Sequence, residues 1–66
     1  MDDNDVLRAK LAILEQQHRD LDDAIKALWE KPIRDELQIK RLKKQKLKLR
    51  DQIYLILDML NPDIIA

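Results

Sequence analysis

The sequence predicts an all-α protein: an antiparallel two-helix hairpin with a coiled-coil-like seam, assembling into a four-helix bundle or a larger helical oligomer. Three observations predict it. Two apolar ladders of opposite phase divide the chain, a proline interrupts them, and glycine is absent altogether. Leu7, Leu11, Leu14, His18, Leu21, Ile25 and Leu28 are spaced alternately four and three residues apart, whereas Ile39, Leu42, Lys46, Leu49, Ile53, Ile56 and Leu60 are spaced three and four. Folding the second ladder back on the first sets Leu28 against Ile39, Ile25 against Leu42 and Leu21 against Lys46. It continues with His18 against Leu49, Leu14 against Ile53, Leu11 against Ile56 and Leu7 against Leu60. Alternating steps of this kind mark the seam of a coiled coil.

Helix 1 is expected over about residues 4–29. Asn4 or Asp5 opens it, because a short polar side chain accepts from the first free backbone amides and favours the positive end of the helix dipole. A hinge follows over about 30–34, where Pro32 breaks the helical ladder of hydrogen bonds. Helix 2 is expected over about 35–60. Pro32 fits the first turn of a helix and Asp35-Glu36-Leu37-Gln38 has the form of a capping box, so a start at either Pro32 or Asp35 is compatible with the sequence. Pro62 stops helix 2, Asn61 is the candidate cap before it, and 61–66 form a short tail.

A chain of 66 residues is one small domain with a marginal core. The 13 basic and 13 acidic side chains balance, so no overall field steers the chain toward nucleic acid or membrane. Their distribution is uneven. Asp2, Asp3, Asp5, Glu15, Asp20, Asp22, Asp23 and Glu30 make helix 1 acidic, and most of the lysines and arginines lie in helix 2, so the two are suited to pair. The lack of cysteine excludes disulfides, thiolate metal sites and cysteine nucleophiles, and the lack of glycine excludes phosphate-cradling loops. The start Met1-Asp2-Asp3-Asn4-Asp5 is acidic where a secretory signal is basic, and no window reaches the roughly 18 apolar residues of a membrane span. The expectation is a cytoplasmic protein with no transmembrane segment.

Around the seam, the end where the termini meet carries surplus apolar surface. Val6, Ile13, Tyr54, Leu55, Leu57 and Met59 form the candidate oligomer interface, with Ala12, Ile64 and Ile65 nearby. Helix 2 there reads Ile53-Tyr54-Leu55-Ile56-Leu57 and is apolar on nearly every side, which a lone helix pair cannot bury. The expected partner is a second copy, most simply in an antiparallel dimer with the charged loop ends projecting.

Two polar residues, His18 and Lys46, interrupt the seam on adjacent layers. The structural reading is that the Lys46 stem covers apolar surface while its ammonium reaches Asp22 or another acid, and that His18 bonds to Asp22 or Glu15. Such layers set register and oligomeric state at some cost in stability. A pH-sensitive or metal-binding His18 is the rival reading, and a single histidine without a second His or Cys at ligand spacing is a weak metal signal. No cofactor is expected.

The stretch from Ile39 to Arg50 is basic and contains no acid. Lys40, Arg41, Lys43, Lys44, Lys48 and Arg50 are a candidate face for an anion or an acidic protein partner; with nucleic acid they would release counterions. Against nucleic acid stand the acids of helix 1, Asp20 opposite Lys48 among them, and the lack of interleaved aromatics for base stacking. Trp29 at the hinge is expected to cap the loop end of the seam. Asp22 and Asp23 point in different directions on a helix and cannot work as an acid–base pair, and the chain is too short to enclose a pocket, so no enzyme is expected. The leading functional reading is a non-enzymatic helical interaction and oligomerisation module; the alternative is a nucleic-acid-associated accessory protein using the basic face of helix 2.

Residues His18-Arg19-Asp20-Leu21-Asp22-Asp23-Ala24-Ile25, together with Leu42-Lys43-Lys44-x-Lys46-Leu47-x-Leu49-Arg50-Asp51 after the hinge, resemble the YdcH-like family of small bacterial proteins. The resemblance covers roughly residues 7–60. It implies a small helical hairpin of uncharacterised molecular function. One departure is Gln52, where the family pattern leads one to expect Glu.

Overall fold

A computed structural model describes residues 2–61 and contains two α-helices, α1 (Asp3–Trp29) and α2 (Glu36–Leu60). Both are long for helices of so small a protein, because neither contains proline or glycine and each presents an apolar stripe along its length, broken only at His18 in α1 and Lys46 in α2. The expectations that Pro62 stops helix 2, and that Ile64 and Ile65 lie near the apolar end, concern residues outside those described.

Helix α1 begins at Asp3, a residue before the start read from the sequence. Asp2 rather than Asn4 or Asp5 caps it: the Asp2 carboxylate accepts from the Asn4 amide at 3.2 Å. Asp3 and Asp5 in the first turn and Lys26 in the last complement the helix dipole at its two ends. Of the two starts open for the second helix, Asp35 is the one used. Its side chain accepts from the Gln38 amide at 3.0 Å, and Pro32 lies in the hinge. The hinge is held by Lys31 N–H to Leu28 C=O at 3.4 Å and by the Arg34 guanidinium, which donates to the Trp29 carbonyl at 3.1 Å. Asn61 caps α2 at its far end, its amide donating to Leu57 C=O at 2.9 Å.

The helices pack antiparallel. Moving along α1, Leu14 shares a groove with Ile56, Leu21 with Leu49, and Trp29 with Ile39, so α2 numbers fall as α1 numbers rise. Leu14, Ile25, Ile39 and Ile56 are buried. Every other ladder position, from Leu7 to Leu60, is half-buried, and among the described residues outside the ladders only Asp22 is shielded to a similar degree. The heptad seam is therefore the whole interior of the hairpin. It is a thin one, since even the four core side chains keep 3% to 7% of their surface exposed.

Candidate interaction surfaces

The polar layers of the seam decide which charges remain free. Lys46 occupies a seam position, where it is half-buried, and its ammonium donates to Asp22 Oδ1 at 2.8 Å. Asp22 stands one residue beyond Leu21, on the edge of the seam nearest Lys46. Lys26, one turn along α1, approaches its other oxygen at 3.9 Å. The hydrogen bond from Lys46 and then its positive charge hold the Asp22 carboxyl below its ordinary value. His18 is half-buried and lines a shallow groove with Lys46, Arg50, Ile53 and Tyr54. Among the described residues its side chain forms no hydrogen bond to Asp22 or Glu15, and no group of acids, histidines or cysteines is placed to hold a metal ion.

Two long sides flank the seam, and they differ in chemistry. On one, a groove lined by Gln17, Asp20, Leu21, Gln45, Lys48, Leu49 and Gln52 runs through Gln52 into a second groove lined by Lys10, Leu14, Leu55, Ile56 and Met59. Val6 and Ile13 belong to the same side, because Val6, Lys10, Ile13, Gln17 and Asp20 follow one another at three- and four-residue steps along α1. We call this the glutamine side. On the opposite, histidine side, Lys43, Leu47, Arg50, Tyr54 and Leu57 follow at the same steps along α2, with Arg8, Glu15, Asp22 and Lys26 on α1.

The six residues of the candidate oligomer interface are thus divided. Val6, Ile13, Leu55 and Met59 share the glutamine side, where Ile13, Leu55 and Met59 are each 60% exposed. Tyr54 and Leu57 lie on the histidine side. Tyr54 is already engaged, its hydroxyl accepting from Arg50 Nε at 3.2 Å and its ring lying 5.5 Å from the guanidinium carbon. The signal for this division was present in the heptad spacing, since Leu55 and Met59 are four apart on one flank while Tyr54 and Leu57 are three apart on the other.

The basic run is divided as well. Lys40, Lys43 and Arg50 stand on the histidine side, Arg41 and Lys48 on the glutamine side, and Lys44 points away from the seam. Lys43 lies over the Trp29 ring at 5.3 Å, and Arg34 lies over it at 4.8 Å, so the indole at the loop end is held by two cations of its own chain. Asp20 and Lys48 line one groove, yet among the described residues only Lys46 forms an ion pair across the helices.

A family model described as "Protein of unknown function (DUF465)" matches residues 11–57. The chain belongs to this family. YdcH-like proteins are members of it, which agrees with the resemblance carried by the His18–Ile25 and Leu42–Asp51 segments. The DUF465 match runs from Leu11 to Leu57 and so takes in the polar layers, the hinge and the basic run, while Val6 and Met59 fall outside it. No curated protein and no solved structure matches the chain. No helix among the described residues is long and apolar enough to cross a membrane.

Proposed function

We propose that this DUF465 hairpin is a cytoplasmic, non-enzymatic interaction module that works as a self-associated helical assembly, with a dimer as its simplest form. One observation carries the reading: Leu14, Ile25, Ile39 and Ile56 are the only buried apolar residues among those described, while Val6, Ile13, Leu55 and Met59 stand half or more exposed. A two-helix core of this size is marginal by itself, and covering the exposed residues with a second copy adds burial. The terminal half becomes the shared core of the assembly, and the hinge and the basic residues Lys40, Lys43, Lys44 and Arg50 stay available to an acidic protein partner. Sedimentation equilibrium tests it. The expected result is a dimer or larger species at micromolar concentration, and a folded monomer at high micromolar concentration would refute it.

A second reading is a nucleic-acid accessory role, supported by the basic run. Lys40, Arg41, Lys44 and Lys48 have no acidic partner within ion-pair distance among the described residues, so the acids of α1 neutralise less of the run than the sequence suggests. Lys43 and Arg50 are partly engaged by Trp29 and Tyr54, which leaves a discontinuous cationic surface. This reading requires a shift of DNA or RNA that weakens with salt and disappears in Lys43→Glu/Lys44→Glu, and absence of binding at low salt eliminates it.

A further inference from the structure

We infer that the second copy covers the glutamine side, and that the two hairpins lie side by side with their loop ends together, α1 of each resting on α2 of the other. The inference rests on the self-association reading and specifies its face and direction. The choice of face follows from charge. Between the helices the glutamine side offers the amides of Gln17, Gln45 and Gln52 beside Lys10, Asp20 and Lys48, and the last two are of opposite sign and form no ion pair within the hairpin; on the histidine side Lys46 and Arg50 are already bound to Asp22 and Tyr54. Uncharged amides cost far less to desolvate than ions and bond to one another across an interface.

The direction follows from what each arrangement brings together. With loop ends together and a two-fold axis along the hairpin, a residue on α1 meets the α2 residue at its own level in the other copy. Val6 then meets Met59 and Ile13 meets Leu55, while Asp20 meets Lys48, each twice by symmetry. Apolar residues face apolar ones at the terminal end, and Asp20 and Lys48, which form no ion pair within the hairpin, gain one between copies. Head-to-tail arrangements match less well. Full overlap sets Val6 against Ala24 and Ile13 against Gln17. Overlap of the terminal halves alone matches Val6 with Ile13 but sets Lys10 against Lys10 at the two-fold axis and leaves Asp20 and Lys48 uncovered. The antiparallel dimer expected from the sequence is therefore the poorer fit to these side chains.

Two measurements on the full chain test this. The protein has no cysteine, so Lys31→Cys at the hinge takes a single spin label per chain. Electron–electron dipolar spectroscopy should then find the two labels much closer than the 47 Å length of the hairpin. A separation near or beyond that length in a sedimenting dimer overturns the direction while leaving self-association intact; a monomer overturns both. The second measurement mixes Asp20→Lys with Lys48→Asp. Each variant alone sets like charges across both contacts and should weaken the dimer at least tenfold, whereas an equimolar mixture restores complementary pairs and should recover the heterodimer. If the mixture associates no better than either variant alone, the pairing of Asp20 with Lys48 across copies is wrong.

Discussion

The Lys46 ammonium lies 2.8 Å from the Asp22 carboxylate and is the only ion pair joining α1 to α2 among the described residues. It places a lysine at a seam position whose neighbours in the ladder are Leu42 and Leu49. Holding an ammonium there costs desolvation that a half-exposed pair recovers only in part. Lys46→Leu should therefore raise the thermal midpoint, and Lys46→Glu, which sets like charge beside Asp22, should lower it. Circular dichroism melts of the two variants against the native protein decide the matter. The native layer is better understood as specifying register than as adding stability, and Lys46→Leu should accordingly broaden the distribution of oligomers in sedimentation.

The same bond gives the protein a dependence on acid pH. Asp22 titrates below its ordinary value of 3.8 because Lys46 binds and stabilises its ionised form. A carboxyl depressed by folding contributes stability that is complete above the unfolded value and is lost as pH falls through the folded one. The difference in midpoint between the native protein and Asp22→Asn should be constant near neutrality and shrink once the pH drops below about 4. A difference that stays unchanged down to pH 2 would show that the bond does not contribute through its charge.

How far the interior extends can be read from truncations. Ile56 is 6% exposed and Ile33 is 88% exposed. Ile56→Ala should cost about 2–5 kcal/mol, the usual range for emptying a core site. Ile33→Ala at the hinge should stay within about 0.5 kcal/mol of the native protein. Urea titrations at matched protein concentration give both values.

The seam was legible because a heptad ladder is a spacing rule, and spacing is what a sequence records most directly. All residues from Leu7 to Leu60 in the two ladders are the shielded ones, and the partner of Lys46 was foreseeable because Asp22 is the acid one step from the facing Leu21. The start of α2 was not legible, since Pro32 and Asp35 both satisfy the chemistry of a first turn. Choosing between them depends on how the hinge closes, with Arg34 reaching back to the Trp29 carbonyl. The apolar surplus was legible as an amount and not as an arrangement. Reading Ile53 to Leu57 as apolar all round hid the fact that Leu55 and Leu57 lie on opposite flanks, and that Arg50 already occupies Tyr54. Pairings such as Arg50 with Tyr54 and Lys43 with Trp29 depend on the reach of flexible cations, which no spacing rule specifies.

Leu55 and Leu57 therefore supply the most direct test of the central claim, that a second copy covers the glutamine side of the hairpin. The two residues are neighbours in sequence, both are exposed leucines, and they face opposite ways. Sedimentation equilibrium of Leu55→Glu and Leu57→Glu at the same concentration should give a monomer for the first and a native-like dimer for the second. Dissociation by Leu57→Glu with the dimer preserved in Leu55→Glu would contradict the account.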